Sequence, residues 1–271
     1  MKIVEEFLAA KTGNGSDCED GIVVTEGFAA VIDGATDKTG RRFRRVRGGR
    51  FAMLACADAI RSLDPVADVG AALLHLSATL AGRLPDTLGP GERPTAVLAV
   101  YSRARQEVWQ IGDVCFWHPG LAEGGIRRRT TVDRYATDIR VAVLQAELAN
   151  GADPAALARN DPGREAIIGL LRHQDIFCNN LGAGEWVYPA INGRMVPLDL
   201  VTVYHVPPGV TELVMASDGY PRVLSTLKAS EQELARLLAS DPLCMGPLRG
   251  TKAVAPGNIS FDDRAYLGLA L

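Results

Sequence analysis

Short apolar runs separated by turn residues mark two hairpins in the first part of the chain. Ile22–Val24 and Phe28–Ile32 flank the turn residues 25–27, and together they predict the first hairpin. Thr95–Tyr101 and Val108–Ile111 predict the second hairpin in the same way. Antiparallel strand pairs are therefore expected on either side of a long intervening segment.

Stretches rich in Ala and Leu predict the helices. Phe51–Leu63 and Val66–Leu84 are typical of two helices that are separated at Asp64-Pro65. The polar, Arg-rich stretch 36–50 is predicted to be a loop. The stretch 131–171 is predicted to be helical, with interruptions at an Asn-Gly and an Asp-Pro-Gly sequence inside it.

The last part of the chain returns to short strands. The predicted strands are Trp186–Ile191, Val201–Val206, Leu213–Ala216 and Ala265–Leu271, and the predicted helices are Tyr220–Leu227 and Glu231–Leu238. Because strands lead and end the chain while paired helices lie between them, we expect sheets that are covered by layers of helices.

The composition is that of a globular protein. The 271 residues are 47% hydrophobic and 23% charged, with a formal net charge of −3, which does not match a disordered chain. No apolar run approaches the roughly 18 residues of a transmembrane helix, so no membrane span is expected. Glu5 and Glu6 interrupt the apolar N-terminal run and argue against a signal peptide. Five scattered cysteines without a Cys-x-x-Cys pair predict reduced thiols and a cytoplasmic protein.

Acidic residues recur beside the predicted strands. The sites are Glu19-Asp20, Asp33-Gly34, Gly112-Asp113, Asp218-Gly219 and Asp262-Asp263. Clustered carboxylates repel one another unless a cation lies among them, and oxygen ligands without His or thiolate favour Mg²⁺ or Mn²⁺ over Zn²⁺. The alternative is that each Asp-Gly pair marks an ordinary turn.

Six stretches follow one another along nearly the whole chain in an order that is known from one protein family. They are Cys18-Glu19-Asp20-Gly21, Phe28–Gly34, Gly48-Gly49, Pro94–Val97 with Ile111-Gly112-Asp113, Leu213–Gly219 and Asp262–Ala265. In this order they resemble the motifs of the metal-dependent PPM-type serine/threonine phosphatases, also called type 2C. The resemblance implies an α+β fold over residues 1–271, namely a four-layer αββα sandwich of two antiparallel sheets flanked by helices.

The resemblance also implies a centre of two Mn²⁺ or Mg²⁺ ions. By carry-over, Asp33 bridges both ions, the Gly34 carbonyl binds one of them, Asp218 and Asp262 complete the other, and Glu19 holds a metal-bound water. A water that bridges two divalent ions has its pKa lowered toward neutrality, so a hydroxide nucleophile becomes available. Asp33, Asp218 and Glu19 are therefore the predicted catalytic residues.

Two further acids have supporting roles in the resemblance. Asp20 is expected to support the metal ligands from behind, and Asp113 with Asp218 is expected to form a weaker site for a third ion.

The chain departs from the family where phosphate is bound. Family members usually carry an Arg four residues before the Glu of the first motif, and Gly15 stands there in this chain. The candidate replacements are Lys11, Lys38, Arg41 and Arg42. The last two begin a run of five Arg in residues 41–47, which also fits a solvated loop or a nucleic-acid contact. The slightly acidic pI of about 5.9 weighs against nucleic acid.

Three functions remain open from the sequence. The first is hydrolysis of phosphoserine or phosphothreonine in proteins, and the second is hydrolysis of a small phosphorylated metabolite. The third is a catalytically silent module that binds phosphoproteins. The acids Asp33, Asp218 and Asp262 argue against the silent module, because it has no need for mutually repelling carboxylates.

Overall fold

Two antiparallel sheets form the centre of the fold in the computed structural model, which describes residues 1–122, 124–125 and 129–271. In chain order the strands are β1 (Lys2–Ala9), β2 (Gly21–Val24), β3 (Phe28–Gly34), β4 (Arg42–Phe43), β5 (Val46–Arg47), β6 (Ala96–Ser102), β7 (Glu107–Ile111), β8 (Cys115–Trp117), β9 (Thr202–His205), β10 (Glu212–Ala216) and β11 (Arg264–Ala270). One sheet has the spatial order β1-β11-β10-β8 and the other has β2-β3-β6-β7-β9, while β4 and β5 form a small separate hairpin.

Helices lie outside these sheets. They are α1 (Gly48–Arg61), α2 (Val69–Ala81), α3 (Thr131–Ala149), α4 (Pro154–Arg159), α5 (Pro162–His173) and α6 (Leu227–Ser240). Side-chain oxygens of Asp68, Thr130, Asp161 and Thr226 accept hydrogen bonds from first-turn N–H groups and so fix where α2, α3, α5 and α6 begin. No helix among the described residues combines the length and the apolar character that a bilayer crossing requires.

Three apolar layers hold the elements together. Val31, Phe116 and Leu267 belong to the core between the two sheets. A second core joins the outer face of the five-stranded sheet to α1 and α2, and a third joins the four-stranded sheet to α6. The order helix, sheet, sheet, helix confirms the predicted four-layer αββα sandwich. Helices α3 and α5 form an additional cluster through Val132, Ala136, Ile167 and Leu171.

Strand direction brings the strand-end acids to one edge. Strands β3 and β7 both pair antiparallel with β6, so they run the same way and their C-terminal residues meet at the same edge. Asp33, at the end of β3, and Asp113, just beyond β7, therefore lie at one end of the five-stranded sheet. In the other sheet, β10 is antiparallel to β11, so Asp218 after β10 and Asp262 before β11 share an edge.

Both predicted hairpins are confirmed as β2–β3 and β6–β7. The other differences from the sequence prediction have local causes. The predicted loop at 36–50 contains the β4–β5 hairpin and the first residues of α1. Strands β1 and β8 were not predicted.

Two predicted elements are absent from the described residues. Trp186–Ile191 is not a strand, because a 3₁₀ helix at Leu181–Trp186 is followed only by single bridges at Tyr188 and Ile191. Tyr220–Leu227 is not a helix, since buried Tyr220 is followed by Pro221 and the chain turns until Thr226 caps α6.

Candidate functional site

A cleft of about 290 Å³ opens where the strand-end acids meet. The predicted metal ligands Asp33, Gly34, Asp113, Asp218 and Asp262 all line it. Lys38, residues of α3 and α5, and the segment 247–252 also line it, and they are called the basic wall. The cleft is thus lined by acids where the sheets end and by basic side chains from other segments.

Close backbone packing positions the end of β3. The Gly34 N–H donates a hydrogen bond to the Glu19 carbonyl oxygen at 3.1 Å. A Cβ on Gly34 would overlap the carbonyl oxygens of Glu19 and Gly49, and a Cβ on Gly49 would overlap that of Gly34. Only glycine fits at both positions, so Gly34 and Gly49 together let α1 begin directly against the end of β3.

Asp33 lies at the electrostatic centre of the cleft. Burial raises the pKa of its carboxyl, and the carboxylates of Asp20, Asp218, Asp113 and Asp262 raise it further. Within the part of the chain that the structure describes, no side chain or backbone group donates a hydrogen bond to it. The Asp33 carboxylate therefore lies among other carboxylates and pairs with no cation in the described part of the chain.

Glu19 and Asp20 lie behind this group rather than on the cleft surface. They are 1% and 2% exposed. The Ser217 hydroxyl donates a hydrogen bond to Asp20, yet burial and the neighbouring aspartates still raise the pKa of that carboxyl. Both carboxylate oxygens of Glu19 and Oδ2 of Asp20 are buried without a hydrogen-bond donor among the described residues. Buried oxygens without donors are costly unless a cation compensates them.

The donor set fits a hard divalent cation. Its members are carboxylates and a backbone carbonyl, which are the ligands of Mg²⁺ and Mn²⁺. Among the described residues, however, no three Asp, Glu, His or Cys side chains already converge on one point as metal ligands do. The chemistry of the site matches the ion, and its side chains would have to move together to bind it.

Asp262 is a predicted ligand that has a cationic partner at each carboxylate oxygen. Its Oδ1 accepts hydrogen bonds from the Lys11 ammonium at 3.1 Å and from the Asp263 N–H at 3.0 Å. Its Oδ2 pairs with the Lys252 ammonium. Burial alone would raise the pKa of the Asp262 carboxyl, but the two lysines outweigh burial and lower it.

Asp263 joins three segments of the chain. Its Oδ1 accepts from the Lys11 N–H at 2.7 Å, and its Oδ2 accepts from the Glu19 N–H at 2.9 Å. The Lys11 ammonium lies 3.4 Å from the same Oδ2. Asp263 therefore holds the residues after β1 against the Glu19 segment. The sequence motif predicted a metal ligand at Asp262 but assigned no role to Asp263.

The basic wall includes Lys38 and Arg164, neither of which pairs with a described carboxylate. Lys38 is half-buried in the cleft, and burial and the nearby cations Arg164 and Lys252 lower the pKa of its ammonium. No acceptor in the described ranges takes a hydrogen bond from that ammonium. Arg164, on α5, donates to the Thr251 carbonyl at 2.9 Å but forms no ion pair with a described residue.

The remaining predicted phosphate-binding residues lie elsewhere. Arg41 pairs with Glu92 and stacks over Phe43, and Arg42 donates to the Arg45 carbonyl at 3.2 Å. Lys11 is buried behind the cleft and contacts carboxylates. Of the four candidates, only Lys38 lines the cleft. Arg164 and Lys252, which do line it, lie in no motif that sequence reasoning could have used.

Buried Arg140 fixes the position of the basic wall. This α3 side chain is fully buried and contacts Asp161 Oδ2 through Nε at 2.8 Å and Nη2 at 2.7 Å. It also donates to the carbonyls of Leu243, Cys244 and Gly250 at 2.8 to 3.1 Å. One guanidinium thus connects α3, the start of α5 and the segment that carries Lys252.

Solved structures with a similar fold are bacterial phosphatases. A bacterial serine phosphatase aligns over 99% of this chain and 98% of its own chain, with 10% identity and a TM-score of 0.51. The serine/threonine phosphatase PstP/Ppp of Mycobacterium tuberculosis aligns over 98% and 96%, with 15% identity and a TM-score of 0.48. Stp1 of Staphylococcus aureus aligns over 100% and 96%, with 12% identity and a TM-score of 0.49.

The first of these similarities confirms the fold that the sequence motifs implied. At 10% identity it is a similarity of fold. No protein-family model matches the chain, and no curated protein matches it.

Proposed function

We propose that this chain is an Mn²⁺- or Mg²⁺-dependent phosphomonoester hydrolase that removes phosphate from phosphoserine and phosphothreonine in proteins. The observation that carries the proposal is the convergence of strand-end carboxylates on the cleft around Asp33, which pairs with no cation among the described residues. The order of the six motifs and the fold similarity to a bacterial serine phosphatase support it. The residues 1–271 are proposed to form one phosphatase-like domain. The five buried free thiols support a reducing, cytoplasmic location.

Each acid has a separate part in this proposal. The residues that would hold the ions are Asp33, the Gly34 carbonyl, Asp218, Asp262 and Glu19, with Asp113 available to a third ion. Bound ions supply a hydroxide nucleophile near neutral pH and offset charge on the phosphoryl group. Asp20 stays behind the ligands, where the Ser217 hydroxyl orients it.

The basic wall would bind the substrate phosphate. Lys38 and Arg164 line the same cleft as the acids and pair with no described carboxylate, so their charges remain available to phosphate oxygens. The planar guanidinium of Arg164 suits two oxygens at once. These two residues would replace the Arg that is missing at Gly15, which lies in an exposed 3₁₀ turn.

The metal-dependent step is tested by hydrolysis of p-nitrophenyl phosphate and of phosphoserine and phosphothreonine peptides with Mn²⁺. We expect chelator to abolish activity and Asp33→Asn to reduce kcat/KM by about 100-fold or more. Asp199→Asn, at an exposed site outside the cleft, is the matched control and should behave as wild type. Full activity of Asp33→Asn would refute the proposal.

Comparison of substrates tests the phosphoprotein assignment. Hydrolysis of small sugar or nucleoside phosphates in preference to every phosphopeptide would instead indicate a metabolite phosphatase. Binding of phosphopeptides without turnover, in the presence of Mn²⁺, would indicate the silent module.

The phosphate-binding role of the wall is tested separately. Lys38→Met and Arg164→Met each remove a charged hydrogen-bond donor, which is worth about 1.5 to 3 kcal/mol, so KM for phosphopeptide should rise about 10- to 100-fold. The control is Arg249→Gln, because Arg249 also lines the cleft but pairs with Asp138 at 2.7 Å. Unchanged KM and unchanged inhibition by inorganic phosphate in both Met variants would contradict this role.

A further inference from the structure

Lys11 is fixed at the acidic centre by its backbone. It follows β1, and its N–H donates to Asp263 Oδ1 at 2.7 Å while its carbonyl accepts from the Ile259 N–H at 2.8 Å. The residue is 8% exposed. Because the main chain is held on both sides, the side chain must extend toward the acids behind the cleft.

The Lys11 ammonium lies among three carboxylates. It contacts Asp262 Oδ1 at 3.1 Å, Asp263 Oδ2 at 3.4 Å and Glu19 Oε2 at 3.6 Å. It also donates to the Thr36 hydroxyl at 3.0 Å. The four contacting residues come from three separate segments of the chain, so the ammonium is shared among them as a cation would be.

Charge is compensated very unequally across the acidic centre. Lys11 and Lys252 together contact both oxygens of Asp262. Asp33, in contrast, is surrounded by carboxylates, and no described residue pairs with it. Among the described residues, the two lysines therefore pair on the Asp262 side of the centre, and none pairs with Asp33.

We propose that Lys11, assisted by Lys252, is a resident counter-ion that must leave Asp262 before a second metal ion can bind. The inference rests on the proposed metal-dependent function. The first ion binds on the Asp33 side, because no cation of the described residues pairs with Asp33. The second requires Asp262 to exchange its two ammonium partners for the metal, so the two ions bind in sequence and with different affinities.

The test is the number and affinity of Mn²⁺ ions that bind the metal-stripped full-length chain, measured by calorimetry and by the Mn²⁺ EPR signal. Wild type should bind one ion at least about tenfold more tightly than the second. Lys11→Met should strengthen the second site by about tenfold or more and leave the first within about twofold. Lys2→Met, an exposed lysine on β1, is the control and should match wild type.

Lys252→Met provides a second variant, since it removes a partner of Asp262 from a different segment. It should also strengthen only the second site, and it keeps the test open if Lys11→Met does not fold. Two Mn²⁺ ions of equal affinity in wild type, unchanged in the lysine variants, would overturn the inference while leaving metal-dependent hydrolysis intact. Absence of Mn²⁺ binding in every variant, together with absence of hydrolysis, would overturn the proposed function itself.

Discussion

Replacing Arg140 with Met should remove the main connection between helices α3 and α5 and the loop that carries Lys252. Met keeps an apolar stem of similar length in a fully buried position. The substitution deletes the ion pair with Asp161 and the hydrogen bonds to three carbonyl oxygens. The effect should therefore appear as a loss of folding free energy.

The size of that loss follows from the exposure of the groups left behind. Breaking a buried pair by removing one partner costs about 3 to 5 kcal/mol, and the lower value applies because Asp161 keeps 15% side-chain exposure. Asp161 also keeps its hydrogen bond from the Arg164 N–H at 2.7 Å. Each of the three carbonyls that loses its donor adds about 0.5 to 1 kcal/mol, which gives about 4.5 to 6 kcal/mol in all.

Urea unfolding followed by circular dichroism measures this change directly, and the thermal midpoint should fall by about 8 to 12 °C. The matched control is Arg249→Gln, which breaks an exposed ion pair between the same loop and α3, through Asp138. Exposed pairs contribute about 0 to 1 kcal/mol, so the control should stay within about 2 °C of wild type. An Arg140→Met midpoint within about 3 °C of wild type would refute the reasoning.

Three further outcomes are expected from features of the packing. All five cysteines are buried, and burial raises the pKa of Cys56 and Cys178 to about 12. The native protein should therefore resist Ellman's reagent at pH 7.5 until it is denatured. Rapid labelling of the folded protein would contradict this expectation. Gly34→Ala should lower stability and prevent Mn²⁺ binding, because the new Cβ overlaps two carbonyl oxygens. Its control is Gly169→Ala in the middle of α5, where a Cβ meets no atom within 4 Å. In chemical denaturation the control should raise stability by about 0.5 to 1 kcal/mol, and it should leave Mn²⁺ binding unchanged. Tyr204→Phe should cost about 0.5 to 1.5 kcal/mol by losing the contact between its hydroxyl and His118 Nε2 at 2.7 Å, and an unchanged urea midpoint would argue against that hydrogen bond.

The hairpins and the strand-end acids could be predicted because their signals are local. In β3, apolar residues run without interruption into Asp33-Gly34, and the turn residues before the strand mark where it begins. The end of β7 repeats the pattern with Gly112-Asp113. Such runs fix where a strand ends, and antiparallel pairing then brings the ends together.

The first strand could not be predicted from its own residues. Ile3, Val4 and Leu8 of β1 are exposed, so the alternation that marks a half-buried strand is absent. The strand forms because β11, at the other end of the chain, supplies its hydrogen-bond partners. Its existence therefore depends on contacts that no local window contains.

The false helix at Tyr220–Leu227 has a similar explanation. Tyr220 and Val223 are buried against the four-stranded sheet, so the segment is apolar without being helical. The segment is therefore apolar because it packs against the sheet, and not because it forms a helix.

The basic wall was missed for a different reason. Arg164 lies in a helix with no recognisable motif, and Lys252 lies in an irregular loop. Their proximity arises through Arg140, the packing of α3 on α5, and the hydrogen bond from Arg164 to the Thr251 carbonyl. The resemblance between motifs predicts the acids at the strand ends, because they belong to the motifs. It cannot predict the basic wall, because Arg164 and Lys252 lie outside the motifs.

Backbone packing positions the acidic part of the cleft, whereas side-chain contacts position its basic wall. On the acidic side, Gly34, Gly49 and Gly219 bring main chain directly against main chain, and any added Cβ would overlap backbone atoms. In the basic wall, Lys38 and Arg164 lie in segments that hydrogen bonds from long side chains hold in place. The acidic side leaves substitution almost no freedom, whereas the basic wall can exchange one side chain for another. Under the proposed function, substrate preference can therefore change through the basic wall while the acids at the sheet edge stay fixed.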